Sequence, residues 1–417
     1  MDGGLEGNAI YRAVYGLVVD TLGWASWLAY FIAAMVIILI VVNGVLVLGT
    51  LYTWFERRVL GRFQGRLGPN RTGPFGLLQP IADALKLMFK EDIVPRGADR
   101  LVFSLAPIVM LVPTLLVLAI IPFGRGSFLA DLNIGVLYIA AVGGITTVAV
   151  LMAGYASANK FATFGSMRAV AMVVSYEIPL VMALLGVTVL AASMSMVAVV
   201  EAQHLPYLLV APLGAGVFLV AISAELNRNP FDVLEAESEL VAGYLTEYSG
   251  MKYGVFMLAE FTNTIVAGAL FAVLFLQGWQ WTVFSPLGSQ VGFLGFLDTG
   301  VARQIESHFW FLFKVGLFAF AATWVRATLP RLRIDQILSL AWKVLFPLSL
   351  LNVLVLAVEV IVWPEPSVGD LAIMAAINWP VAGAAFFVAA RLVSLGTRAP
   401  GLVLRQAQDE RASLGVR

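Results

Sequence analysis

The chain is punctuated by apolar runs of the length a helix needs to cross the hydrocarbon core of a bilayer, about 20 residues. Nine such runs can be read, near 27–54, 101–122, 133–157, 169–198, 207–225, 253–277, 309–329, 341–363 and 371–396. The first is long enough to leave the membrane as a continuing helix. The fourth contains Pro179, where a kink is expected, because proline removes a helical hydrogen bond and crowds the preceding turn. Charged residues are only 12 % of the chain against 60 % hydrophobic, where an ordinary soluble domain carries about 25 % charged residues. So much apolar surface with so little charge excludes a soluble globular domain, a disordered tail and a nucleic-acid binder with a basic face. The expected fold is all-α: a polytopic transmembrane helix bundle of about nine spans, with one interfacial amphipathic helix.

Lysine and arginine set the expected orientation, since they concentrate in cytoplasmic loops. The segment 55–100 carries Arg57, Arg58, Arg62, Arg66, Arg71, Lys86, Lys90, Arg96 and Arg100. Placing it inside also places Lys160, Arg168, Arg326, Arg331, Arg333, Lys343 and the basic C-terminal tail inside. Only Arg12, Arg125 and Arg303 then fall outside. The expected organisation is an outside N-terminal segment 1–26, a transmembrane region 27–396, and an inside tail 397–417. Eight of the ten tryptophans (Trp24, Trp27, Trp54, Trp279, Trp281, Trp310, Trp363 and Trp379) sit near expected span ends, where a half-buried indole with a wet N–H is favoured. The first 20 residues lack the basic start, apolar stretch and small-residue cleavage site of a signal peptide.

There is no cysteine, and there are two histidines, His204 and His308. Iron–sulfur clusters, c-type haem and disulfides need thiols. No cofactor, metal or catalytic redox group is therefore expected on this chain. If it serves redox chemistry, the metal and flavin belong to a partner.

Three inside segments differ from ordinary loops. The first, ERRVLGRFQGRLGPNRTGPFGLLQPIADALKLMFKED (56–92), opens as a charged helix extension and passes through a stretch rich in glycine and proline. A short helix is expected over 78–90, since Pro80 suits a first turn. Leu78, Ile81, Leu85, Met88 and Phe89 share one face, with Asp83, Lys86 and Lys90 on the other. Too short to span, it should lie in the interface plane, either as a plain anchor or as the lip of a lateral opening for an amphiphilic ligand.

The second segment, AELNRNPFDVLEAESELVAGYLTEYSGMKYG (224–254), holds the acidic inner loop 225–252. Residues 225–247 contain Glu225, Asp232, Glu235, Glu237, Glu239 and Glu247 against one Arg228, a net of −5. These acids alternate with apolar residues, and Asp232, Glu235 and Glu239 share a helical face. Carboxylates crowded among apolar groups titrate high and in a coupled way, which suits proton holding; a solvated docking face for a partner is the plainer alternative. The third, RATLPRLRIDQILSLAWK (326–343), reads as a positive-inside marker with a salt bridge more than as a ligand site.

Inside the spans lie Glu177, Glu225, Glu260, Lys314 and Glu359. Each ionised group there costs at least about 2.5–3.5 kcal/mol, so such residues face the bundle interior or water and mark ion or proton paths by default. Lys314 reads as a counter-charge to one of the acids, and Glu359 as interfacial. Two classes fit: an ion-coupled subunit of a redox complex, or a secondary transporter, for which discontinuous helices in paired halves would be expected. No such pairing is evident. A non-catalytic scaffold is a third class, which the buried acids disfavour.

The three segments resemble the NuoH family, the equivalent of mitochondrial NADH dehydrogenase subunit one, over about 27–363. That family belongs to proton-translocating NADH:quinone oxidoreductase, respiratory complex I. The resemblance implies a bacterial inner-membrane protein, N-terminus outside, joining the membrane arm to the peripheral quinone-site subunits. Quinone is the implied substrate, and flavin and iron–sulfur clusters are implied for partner subunits; lipid contact is implied and nucleic acid is not. Carried over by motif, Glu56, Arg57, Arg66, Asp83, Arg228, Phe231 and Asp232 would line or support the quinone chamber. The implied proton path is Glu177, Glu225, Asp232, Glu235, Glu237, Glu239, Glu247 and Glu260. Related membrane subunits of energy-converting hydrogenases and ferredoxin-fed complexes share the fold and many acids, and are the alternative. The ninth span and basic tail extend beyond the family's eight-helix form.

Overall fold

The computed structural model describes residues 9–21, 25–232, 242–280, 300–364 and 366–413. Within them the chain is helical, without a strand. The helix α1 (Ala9–Tyr15) runs into a π-helical turn, Gly16–Thr21, and packs through Tyr11 on Ala33 and Ile37 of α2 (Ser26–Phe63). With 38 residues, α2 is about 57 Å long at 1.5 Å per residue, nearly twice the hydrocarbon thickness. Its last turns, carrying Glu56, Arg57, Arg58 and Arg62, continue past the apolar stretch as the composition foretold.

The turn that ends α2 is tight for a reason visible in the glycines. Arg66 N donates to Gly61 O at 2.8 Å, and Gly65 adopts φ +65, the left-handed conformation glycine favours after a helix. A Cβ on Gly68 would stand 2.8 Å from Arg58 Cα, so only glycine lets the connection fold back onto the helix. The interfacial helix α3 (Gln79–Phe89) follows, with Pro80 in its first turn. Its Ile81, Leu85, Met88 and Phe89 are exposed, and Leu87 packs on Gly254.

Then come α4 (Arg100–Val117), α5 (Gly135–Ala156) and α6 (Lys160–Ala191). Asp99 caps α4 by accepting from Leu101 N and Val102 N, and Asn159 caps α6 by accepting from Phe161 N, each satisfying orphan first-turn donors. The expected span 169–198 is shifted: α6 starts nine residues earlier, because Lys160–Arg168 continues the helix outside the apolar stretch. It runs through Pro179 as one 32-residue helix; neighbouring helices make such prolines tolerable in membranes.

The expected fifth span, 207–225, is corrected. After α7 (Met196–Ala202) it divides into α8 (Tyr207–Val210) and α9 (Pro212–Glu225). Pro212 has no N–H to continue the ladder, and Ala211 sits at φ −123, ψ 64. At 14 residues, α9 covers only about 21 Å and is a half-span. Next are α10 (Gly250–Phe275), α11 (Gly300–Thr328), α12 (Ile334–Val362, with a π-helical stretch at Ala341–Leu345) and α13 (Val368–Ser413). Eight helices among the described residues are long and apolar enough to span. With the half-span α9 they occupy the places of the nine runs, and the protein is a multi-pass membrane helix bundle.

The centre of the bundle is α10, 72 % of whose most apolar stretch is buried, against 17 % for the peripheral α2. It packs on α2, α4 and α11, and the main core runs from Met172 and Tyr176 through Phe218 to Phe271 and Phe275.

Candidate functional site

Two groups of charged residues are built on this frame. The first lies where α2 leaves the membrane. Glu56 is 2 % exposed. Both its oxygens accept from Arg228 Nη1, at 2.9 and 3.1 Å, and Arg326 Nη1 is a second ion-pair partner. The Arg228 guanidinium lies 4.6 Å from the centroid of Phe261, a cation–π arrangement that offsets its desolvation. One turn before Glu56, Tyr52 hydrogen-bonds Thr323 at 3.1 Å and meets Phe261 edge-on. Four segments are thereby tied at one buried carboxylate: α2, the connection after α9, α10 and α11.

Beside it, Arg57 pairs with Asp83 of α3 at 2.5 Å, with Gln79 and Lys86 also turned toward that carboxylate. Burial alone raises the Asp83 pKa. The hydrogen bond and charge of Arg57, helped by Gln79 and Lys86, outweigh it, and the carboxyl titrates below its ordinary range. Arg66 stands apart, exposed and bonded to Gln64 at 2.7 Å. Phe231 is buried edge-on to Tyr176, with centroids 5.2 Å apart, and Asp232 next to it is half-buried. Pro230 O accepts from Leu332 N at 3.0 Å, which stitches this segment to the connection between α11 and α12.

The second group surrounds a cavity between α4, α5, α6, α9 and α10. Glu177 and Glu225 both line it, with Thr114, Thr146 and Asn263; the remaining lining is almost wholly apolar. Adjacent glycines on α5 make room for the two acids. A Cβ on Gly143 would lie 3.5 Å from Glu225 Oε1, and one on Gly144 would lie 3.4 Å from Glu177 Oε1. Glu260, one turn from Asn263 on α10, accepts from Tyr244 OH at 3.4 Å, and Glu247 accepts from Asn159 Nδ2 at 2.7 Å. Glu235, Glu237 and Glu239 lie outside the described residues.

Three charged residues are placed differently from the sequence reading. Arg326, weighed there as a topology marker, completes the pairing of Glu56. Lys314 is no counter-charge to an acid in the described ion pairs; it donates to the carbonyls of Leu276, Gly278 and Gln280 at 2.6, 2.8 and 2.5 Å, closing the end of α10, whose last carbonyls have no helical donor. Glu359 is packed inside the protein, 5 % exposed, and accepts from Asn378 Nδ2 at 2.9 Å. The asparagines inside the spans (Asn263, Asn352 and Asn378) went unremarked in the sequence; an uncharged amide in an apolar run was the signal, since such groups find partners across helices. Among the described residues no group of three or more His, Asp or Glu side chains is arranged to hold a metal ion.

Fold and site together define a multi-pass membrane protein that keeps ionisable side chains inside its bundle and joins them to charged loops at one face. The sequence comparisons give the family. A family model described as NADH dehydrogenase matches residues 34–357. The H-type subunit of the NADH-quinone oxidoreductase of Dehalococcoides mccartyi strain CBDB1 is 46 % identical over 367 residues, 88 % of this chain and 97 % of that protein. The corresponding H-type subunits of Geobacillus kaustophilus and Brevibacillus brevis are 47 % and 45 % identical, each over 81 % of this chain and 96 % and 95 % of their own lengths. The chain belongs to the NADH dehydrogenase family.

Proposed function

We propose that this chain is the membrane subunit of a bacterial proton-translocating NADH:quinone oxidoreductase that admits quinone beside α3 and couples its reduction to proton movement through the buried acids. The resemblance of the 56–92 and 224–254 segments, and the names of its relatives, support this reading. The chain carries no thiol for an iron–sulfur centre, so electrons arrive from flavin and iron–sulfur groups on partner subunits. The basic loops place the N-terminus outside and the C-terminus in the cytoplasm.

One observation carries the coupling. Glu225 in the cavity and Arg228 on Glu56 are three residues apart on the same short connection. Quinone chemistry is placed next to Glu56, Arg57, Asp83, Arg228, Phe231 and Asp232. A change of charge there alters the grip of Glu56 on Arg228 and so the position of Glu225. Two carboxylates in one apolar cavity repel each other, and a shared proton relieves the repulsion. Moving Glu225 relative to Glu177 then takes up or releases that proton, passing it by way of Glu260 and Glu247. For the loop to couple in this way, it must have two arrangements that the quinone state biases differently. Asp232, Glu235, Glu237 and Glu239 continue the path along the loop.

The test is the intact complex, purified gently with this chain and reconstituted in liposomes. Inhibitor-sensitive NADH:quinone reductase activity with proton uptake is expected, and Glu225→Gln is expected to lower the protons moved per NADH. A hydrogenase-type partner without quinone activity would retire the quinone chamber. Normal proton stoichiometry in Glu225→Gln would remove the cavity from the path.

A further inference from the structure

A second polar site lies away from the acid cavity, where α12 and α13 close over the break between α8 and α9. Glu359 and Asn352 on α12 and Asn378 on α13 are 5, 4 and 5 % exposed. Asn378 Nδ2 donates to Glu359 Oε2 at 2.9 Å and to Val210 O at 2.8 Å. Its neighbour Trp379 donates to Leu209 O at 3.1 Å. The last span thus satisfies carbonyls that the helix break leaves without helical donors, which membrane burial requires. Two atoms remain without a protein partner: Glu359 Oε1 and Asn352 Nδ2. Asn352 and Asn378 border a small void beside Pro212 and Leu213. A buried polar group facing a polar void takes an ordered water. An ionisable side chain buried inside a span marks an ion or proton path by default.

The surrounding charges support a proton rather than a metal cation. No ion pair among the described residues includes Glu359. On the neighbouring elements, Glu177 and Glu225 face the acid cavity, Asp370 is held by Ser367 at the start of α13, and the buried hydroxyl-bearing Tyr207 belongs to α8. The slot that holds Asn352 lies on helices that also line that cavity. Leu184 of α6 and Phe218 of α9 line the cavity. Two and four residues away on those helices, Gly186 and Gly214 form the slot that holds Asn352; a Cβ on either would stand 2.7 or 2.8 Å from Asn352 Nδ2. Asn352 and Glu359 are two helical turns apart, about 10.5 Å along the axis, and Glu359 is three residues from the end of α12.

We propose that Glu359, Asn378 and Asn352, with water in the void that Asn352 and Asn378 line and with Glu359 joined to it through Asn378, form a further proton-holding station that extends the path from the Glu177–Glu225 cavity toward the opposite membrane face. The inference rests on the proton-coupling reading above, and its test separates the two. Complexes carrying Glu359→Gln, Asn352→Val or Glu225→Gln are reconstituted in liposomes, and the protons moved per NADH oxidised are measured. Glu359→Gln keeps an oxygen for Asn378 but cannot exchange a proton, and its stoichiometry is expected to fall. Asn352→Val leaves the Glu359–Asn378 bond intact while removing the amide that binds the water, and is expected to fall likewise; it also provides the readout should Glu359→Gln fail to assemble. Normal stoichiometry in the assembled Glu359→Gln complex, or in Asn352→Val, with loss in Glu225→Gln, overturns the station and leaves Glu359 as a clamp for the last span. Normal stoichiometry in Glu225→Gln overturns the cavity reading itself.

Discussion

At Glu56 a single carboxylate holds two guanidinia, the buried Arg228 and the partly exposed Arg326. Removing one member of such a buried pair leaves an uncompensated charge, at a cost of roughly 3–5 kcal/mol. Glu56→Ala removes the carboxylate that both arginines share, whereas Arg326→Met leaves Glu56 paired with Arg228. The expected order of destabilisation is therefore Glu56→Ala well above Arg326→Met, read as the thermal midpoint of the assembled complex. Equal losses would mean that the two arginines do not share the carboxylate. The outer pair, Arg57–Asp83, behaves differently. The folded pKa of Asp83 lies below its unfolded value, so its contribution is complete above the unfolded pKa and is lost as pH falls through the folded one. With Arg57 half exposed, that contribution stays under about 1 kcal/mol. The hydrogen-exchange protection of 79–89, taken relative to the intrinsic exchange rate at each pH, is expected to fall as pH drops below the ordinary carboxylate range, and Asp83→Asn is expected to abolish that pH dependence while lowering protection at neutral pH. These residues were all visible in the sequence as charges in unusual places. Their pairing was not, because Glu56 and Arg326 are 270 positions apart and hydropathy carries no information on which distant side chains meet.

Among the helices, apolar length was enough to locate the spans, and it failed where backbone chemistry intervenes. The run 207–225 is apolar throughout, yet Pro212 divides it, and the orphaned carbonyls it leaves are met by α13, a helix far away in sequence. Lys314 shows the same limit. A lysine in an apolar helix suggests an acid as its partner, but three backbone carbonyls at the end of α10 supply its ligands. Lys314→Met is expected to leave those carbonyls unpaired at about 1–3 kcal/mol for each buried group, lowering the thermal midpoint without changing quinone affinity; an unchanged midpoint would show that other donors replace it. The Gly143–Gly144 step of α5 gives a graded case. A methyl at Gly144 would be in ordinary contact with Glu177 at 3.4 Å, and alanine favours a helix over glycine by up to about 1 kcal/mol. Gly144→Ala is expected to be neutral or stabilising, and Gly144→Leu to displace the carboxyl and lower proton translocation. Equal translocation in both variants would separate Glu177 from the proton path.

Over the whole molecule, the charges divide by face. The long α2 carries Glu56 out of the bilayer to meet the connection after α9, and that same connection begins at Glu225 inside it, so the loop side and the cavity are mechanically one unit. Glu359 and Lys314 sit toward the other end of the bundle, where Arg125 is the exposed cation of the α4–α5 connection. The orientation proposed for this axis rests on the lysine and arginine asymmetry, because moving such residues across the bilayer is costly and their excess stays in the cytoplasm. The natural absence of cysteine makes the test clean. Single cysteines at the exposed positions Arg96 and Arg125 provide one reporter on each face of the chain. In right-side-out vesicles a membrane-impermeant maleimide is expected to label Arg125→Cys and to spare Arg96→Cys until the membrane is opened; inverted vesicles reverse the order. The opposite pattern would turn the molecule over. It would then put the interfacial helix and the Glu56 cluster outside the cell, where no cytoplasmic electron donor could reach a quinone bound beside them, and the coupling proposed through Arg228 and Glu225 would lose its source.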